Sequence, residues 1–248
     1  MDAIYPNWQV PNNIHALSTL RSGGYSCGAY AGMNLGDHVG DTAEIVAKNR
    51  QLLVEQFQLP QSPTFFTQIH SNLVKRLPLN SEDKTADACY SNQPNQVCLI
   101  MTADCLPVIF AAENGQEVAA AHAGWRGLAN GILENTLNCF NAPADKIKVW
   151  LAPAISAKAF QVGQDVYDAF CLNNETAKQA FKIDDQNQGK YFADIYQLAR
   201  IRLQQAGVLS KNISGGEYCT YSDPKKFYSY RRDKITGRMA TLIWFEDK

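Results

Sequence analysis

Histidine is scarce in this chain of 248 residues: there are four, at positions 15, 38, 70 and 122. Long apolar runs are missing altogether. None approaches the roughly 20 residues needed to span a bilayer, and the opening MDAIYPNWQV has no charged stretch followed by an apolar one, as a secretory leader would. A soluble, cytoplasmic protein without a membrane partner is expected. No CxxC pair occurs, and the seven cysteines (27, 89, 98, 105, 139, 171, 219) are odd in number, which argues against both a disulfide framework and a structural zinc ribbon. The Asn-x-Ser/Thr triplets at Asn174 and Asn212 are then chance matches. Excess charge is also absent. Lysine and arginine total 23 against 24 aspartates and glutamates, so nothing draws the chain toward nucleic acid or acidic lipid, and a small-molecule substrate is expected. No repeat, low-complexity tract or Pro/Ser/Gly-rich linker divides the sequence. We read residues 1–248 as one domain, and a monomer by default, since no self-complementary face is marked.

What is present is a mixture of helical and strand patterns. In DTAEIVAKNRQLLVEQF the residues Ile45, Val46, Leu52, Leu53 and Phe57 share a helical face, and Asp41 with Glu44 resembles a capping box. GLANGILENTLNCF and DIYQLARIRLQQAG repeat the pattern, the latter closing on Gly207 as a C-terminal cap, and VGQDVYDAFCL reads as a shorter helix. Strand-like runs are HALSTL, TFFTQI, VCLIMT, LPVIFAA, EVAAAHA, KIKVWLA, GEYCTY and RMATLIWF. Asn114-Gly115 between LPVIFAA and EVAAAHA is a strong hairpin signal. Hairpins interspersed with helices predict an α+β protein with mixed β-sheets and helices packed outside them.

That hairpin holds the candidate chemistry. VCLIMTADC ends in Thr102, Asp104 and Cys105, and EVAAAHAGWRG stops at His122 and turns through Gly124 into a helix. Antiparallel pairing can bring Cys105 and His122 together, although each alone reads equally well as a core residue. FFTQIHSN places His70 at another strand end. Two imidazoles and one thiolate suit a catalytic zinc with its fourth position open; the same donors suit copper, so the set does not choose the metal. Gly124, Arg126 and Gly127 offer backbone N–H groups, a helix start and a guanidinium to an anion such as phosphate. TLRSGGYS sets Arg21 before a Gly-Gly turn, and Arg231, Arg232 and Arg238 stand in YSYRRDKITGRMA. Solvated strand-end arginines are the plain reading of both; a basic, aromatic-lined rim for phosphate and a base is the functional one.

STLRSGGYSCGAYAGMNLGDHVGD, TQIHSNLV, TADCLPVIF, AAHAGWRGLANGIL and FYSYRRDKITGRMATLIW together resemble the YfiH-type family, called polyphenol oxidase or laccase-domain protein in older usage and later purine nucleoside phosphorylase. The likeness runs from about residue 14 to 245. It implies a four-layer α/β/β/α sandwich shared with the catalytic domain of cytotoxic necrotizing factor toxins, and zinc on His70, Cys105 and His122. It further implies phosphorolysis of adenosine, inosine and methylthioadenosine, deamination of adenosine, and, for bacterial relatives, editing of peptidoglycan precursors. Where family members often read GPAIGPCxYEVG, residues 152–163 are APAISAKAFQVG, so a second thiol is missing. Four histidines are too few for a multicopper oxidase, which leaves at most a single copper. A thiol hydrolase with Cys105 as nucleophile and His122 as base is the rival, which a bound metal would oppose. The familiar zinc deaminases place a Glu two residues after the ligand histidine and add a CxxC; neither is here, and Asp104 is the candidate acid/base in their stead. His38 in NLGDHVGD stands between a supporting role at the site and a loop-stabilising one.

Overall fold

In the computed structural model, which describes residues 2–247, the order of elements is β1 (Ala3–Ile4), β2 (Ile14–Thr19), α1 (Ala43–Gln56), β3 (Val74–Arg76), β4 (Ala88–Ser91), β5 (Cys98–Thr102), β6 (Leu106–Ala112), β7 (Val118–Ala123), α2 (Trp125–Ala129), α3 (Ile132–Leu137), β8 (Ile147–Leu151), β9 (Gln161–Gly163), α4 (Gln164–Cys171), β10 (Phe181–Ile183), β11 (Lys190–Ala193), α5 (Ile195–Gln205), β12 (Ile213–Gly215), α6 (Tyr230–Asp233) and β13 (Met239–Phe245). The strands form a six-stranded sheet in the order β12-β8-β6-β7-β4-β3, a four-stranded sheet β1-β2-β13-β5 and a small sheet β10-β11-β9. The largest is mixed: β12 with β8 and β3 with β4 are parallel, whereas β6 pairs antiparallel with both β7 and β8. Among the described residues no helix is long and apolar enough to cross a membrane.

Alternation along the central strands places the core on both faces of the six-stranded sheet. Leu106, Val108 and Phe110 of β6 and Ala119, Ala121 and Ala123 of β7 pack with Leu128, Ile132, Leu133 and Leu198 of the helices. Ile109, Ala111, Val118 and Ala120 face the other way, onto Ala16, Ile100 and Ile243 of the four-stranded sheet. That sheet's far face, with Leu17, Leu99 and Leu242, closes on Leu53 of α1. Each large side chain so buried contributes about 1.5–3 kcal/mol. The run of alanines in β7 keeps it thin between its two neighbours. By the same alternation His122, two residues beyond Ala120, belongs to the face between the sheets.

The hairpin signal at Asn114-Gly115 is realised: β6 and β7 pair antiparallel with Pro107 opposite His122, and Gly115 takes φ +75°. Gly207 closes α5 with φ +97°, its N–H bonded to the Gln204 carbonyl and that of Val208 to Leu203. Other expectations change. GLANGILENTLNCF is two helices, α2 and α3, because Gly131 at φ +91° interrupts the turn. Asp41 does not form the capping box; its carboxylate accepts from Thr42 N–H, Ser26 Oγ and Asn34 Nδ2 and ties a loop to the start of α1. TFFTQI is not a strand, apart from an isolated bridge between Thr67 and Thr85. Its Gln68 amide instead bonds both the N–H and the carbonyl of Met101, replacing a backbone partner. GEYCTY is irregular, and the strand in that region is the preceding β12.

Candidate metal centre and its clefts

The hairpin register puts Cys105, one residue before β6, across from Gly124, one residue after β7, with His122 alongside on the buried strand end. His70 arrives from the irregular 63–73 segment in a left-handed conformation, φ +61°. The donor atoms of His70, Cys105 and His122 all lie within 4.8 Å of one another. Cys105 Sγ is 3.7 Å from His70 Nε2, close to the roughly 3.6 Å that ordinary zinc–sulfur and zinc–nitrogen bonds subtend in a tetrahedron. The two imidazoles meet edge to face at 4.8 Å. Gly124 completes the fit by omission: a Cβ there would stand 2.6 Å from His70 Cδ2 and 3.2 Å from Cys105 Sγ.

One residue outside the triangle organises it. Asp87, fully buried just ahead of β4, accepts from the backbone N–H groups of Ile69, His70 and Ser71 and from Ser71 Oγ, and bonds His122 Nδ1 at 2.8 Å. The carboxylate therefore fixes the His70 turn and leaves His122 Nε2 for a metal, the usual carboxylate–histidine–metal support. Burial opposes its ionisation, but hydrogen bonds from His122 and Ser71 hold it down at about 2. Burial also opposes charge on Cys105 and His122. Their mutual attraction, the hydrogen bond from His70 to the thiol and the one that His122 donates to Asp87 outweigh it, holding the thiol down at about 6 and pulling the imidazole up to about 9. Without metal both shifts favour the thiolate–imidazolium form of the pair. The soft thiolate and two imidazoles, that of His122 held by Asp87, fit a transition metal such as zinc.

Two cavities meet at Cys105. One, about 480 Å³, is lined by His38, Gln68, His70, Thr102, His122, Arg126, Tyr230 and Arg238. The other, about 170 Å³, is apolar, with Trp125, Ile155, Phe160 and Ile195 as walls. Cys105, Ala103 and Tyr230 belong to both.

Of the residues expected from sequence, the triangle, Gly124 and Arg126 come together here, and Asp104 lines the smaller cavity. Gly127 lies against backbone: a Cβ would be 2.7 Å from the Ser71 carbonyl. The helix that contains it, α2, is only five residues long. Asp104 lies at φ +92°, with its carboxylate taken by Thr220 Oγ1, Ser229 Oγ and the Arg231 N–H. Arg21 reaches the Pro224 carbonyl and stacks on Tyr228. Arg232 spends its guanidinium on Asp233 and the carbonyls of Thr220, Tyr221 and Phe227. Neither arginine lines the two cavities. Asp87 escaped notice in sequence because KTADACYS has no local signature; its one signal is an acid opening an otherwise apolar strand.

The model of the family described as multi-copper polyphenol oxidoreductase laccase matches residues 15–246. A Haemophilus influenzae protein named purine nucleoside phosphorylase is 54% identical, the match covering 99% of this chain and 100% of the relative. Purine nucleoside phosphorylase YfiH of Escherichia coli is 49% identical over 97% of this chain and 98% of its own. Among solved structures, a Neisseria meningitidis protein superposes with a TM-score of 0.93 at 44% identity, covering 100% of both chains, and a Bacillus licheniformis hypothetical protein YfiH with 0.88 at 26%, covering 95% and 94%. With matches running nearly end to end, the chain belongs to the YfiH-type family of laccase-domain proteins.

Proposed function

We propose that this chain is a zinc-dependent purine nucleoside phosphorylase acting on adenosine, inosine and methylthioadenosine, with hydrolytic deamination of adenosine as a second activity. The observation that carries the reading is the pairing of a cationic cleft with an apolar, aromatic-walled pocket on either side of Cys105. Trp125 and Phe160 offer flat faces to a purine, and Arg126 offers charge to a phosphate. In phosphorolysis a phosphate oxygen bonds the anomeric carbon as the bond from that carbon to the purine nitrogen breaks; the electron pair leaves with the purine, which takes up a proton. The residues bring phosphate and nucleoside into line and exclude water from the base. Zinc held by His70, Cys105 and His122 would supply electrophilic stabilisation through its open position.

Asp104, with its carboxylate committed to three donors, serves in this reading to hold the Cys105 turn, and the proton transfers of deamination are left to groups of the cleft. The partners are small molecules, nucleoside and phosphate; no nucleic acid or membrane is involved, and the protein works as a cytoplasmic monomer. The packing of helices, two sheets and α1 is read as the α/β/β/α sandwich of the toxin catalytic domains. One observation favours a second reading: the thiolate–imidazolium pair of Cys105 and His122 suits a cysteine hydrolase, with a peptidoglycan precursor as substrate. Copper in the same triangle would give a polyphenol oxidase instead.

The deciding experiment measures purine release from adenosine and inosine by the zinc-loaded protein, with and without phosphate, beside Cys105→Ala. Release that requires phosphate and falls at least ~10²-fold in the variant, the scale of losing several kcal/mol of electrophilic stabilisation, is expected. A Cys105→Ala protein that kept its zinc and its full activity would overturn the reading.

A further inference from the structure

Arginines in this protein are almost all accounted for. Arg50, Arg202 and Arg232 pair with Asp37, Glu134 and Asp233, and Arg76, Arg200 and Arg231 donate to backbone carbonyls. Arg238 is different. It sits immediately before β13 in the wall of the larger cleft, partly buried, and among the described residues no carboxylate lies within ion-pair distance of it. The negative charges it feels, Cys105 and Asp104, act on it without a direct ion pair, and a partly buried guanidinium with unfilled donors gains when an anion comes to it.

The surroundings hold this side chain in place. Its backbone N–H donates to Asn34 Oδ1 at 2.9 Å, and its carbonyl accepts from Leu35 N–H. The stem lies on Gly36, where a Cβ would come within 2.8 Å of Arg238 Cγ. Nη1 donates to the carbonyls of Thr236 and Gly237, both at 3.0 Å, which leaves Nε and Nη2 without protein partners among the described residues. A second cation shares the cleft: Arg126, with its guanidinium carbon 4.3 Å from the Trp125 ring centroid and no carboxylate partner among the described residues. The residues lining the cleft include no Asp or Glu.

We propose that Arg238, assisted by Arg126, is the phosphate-binding residue of this cleft, its free Nε and Nη2 gripping two oxygens of inorganic phosphate. The fork of a guanidinium matches two phosphate oxygens as an ammonium does not. This role rests on the phosphorylase reading for its catalytic meaning, and it replaces Arg21 and Arg232, which are spent elsewhere. A phosphate ester carried on a substrate would satisfy the same chemistry, so the test includes both sources.

Calorimetric titration of the zinc-loaded protein with inorganic phosphate, and separately with inosine monophosphate, is run on the parent, Arg238→Gln, Arg238→Lys and Arg21→Gln. The expected result is a phosphate Kd raised at least tenfold in Arg238→Gln, partly restored in Arg238→Lys and unchanged in Arg21→Gln, with zinc content and melting temperature as in the parent. In turnover, Arg238→Gln raises KM for phosphate by the same factor and leaves KM for nucleoside within twofold. Parent-like phosphate binding by Arg238→Gln, or its loss in Arg21→Gln, overturns the proposal, as does Arg238-dependent binding of the nucleotide alone. Arg238-dependent phosphate binding in a parent that releases no purine supports the anion site and sinks the phosphorylase reading instead.

Discussion

At Asp87 one carboxylate answers five donors, three of them backbone N–H groups of the His70 turn, one the Ser71 hydroxyl and one the His122 ring. Two of the three proposed metal ligands are thus aimed by a residue that lies outside the triangle. Asp87→Asn, which keeps the shape but loses the charge, is expected to weaken zinc binding about 10–100-fold, read by competition with a coloured chelator. The same residue sets an acid limb. Its carboxyl is held at about 2 in the fold against an ordinary 3.8, so its stabilisation is complete above about pH 4 and is lost as pH falls toward 2. Acid unfolding of the metal-free parent should show this slope, and Asp87→Asn should flatten it. An unchanged slope would mean that other carboxylates govern acid unfolding.

Among the elements, the clearest break is at Gly131, where the helical pattern of 127–140 runs on but the chain takes φ +91°. A Cβ there would meet only Glu134 and Arg202 side-chain atoms at 3.6 and 3.8 Å, ordinary contacts. Gly131→Ala should therefore cost only the backbone term, about 1 kcal/mol, or a melting temperature lower by about 2–4 °C; a larger drop would place the cost in packing. Elements with their own periodicity were legible in sequence: α1, α5, and the β6–β7 hairpin whose register brings Cys105 and His122 together. Short strands such as β9, β10 and β11 were not, because three or four residues carry no period. TFFTQI misled because apolar, extended backbone looks alike whether a strand or the Gln68 side chain bonds it. In the site, His70, Cys105, His122 and Arg126 were readable as chemistry at element ends. Asp87 and the free state of Arg238 depend on contacts between segments far apart in the chain, which no local pattern records.

Across the whole molecule, three apolar clusters on the two large sheets, none of which includes His70, Cys105 or His122, make up the core, so on the zinc reading removal of the metal should leave the fold cooperative and expose a reactive thiol rather than unfold the chain. In the metal-free protein the Cys105 thiol is held at about 6. Its alkylation rate should climb with pH through that value and level off above it, since the thiolate is the nucleophile, and zinc should suppress the reaction. Slow alkylation that rises only above about pH 8, as for an ordinary thiol, would rule out the thiolate–imidazolium pair. The topology carries a further consequence, for biosynthesis. β13 is an interior strand, bonded to β2 on one side and β5 on the other, and its residues 239–245 follow those of β2 and β5 by more than 200 and more than 130 positions. Until those residues leave the ribosome, β2 and β5 have no strand to join them. Tyr230 and Arg238 reach the cleft from the residues just ahead of β13. A nascent chain can therefore assemble the β6–β7 hairpin early, but it holds no complete site until residues 239–245 have emerged, and a stop codon just ahead of β13 would yield a protein without a closed four-stranded sheet.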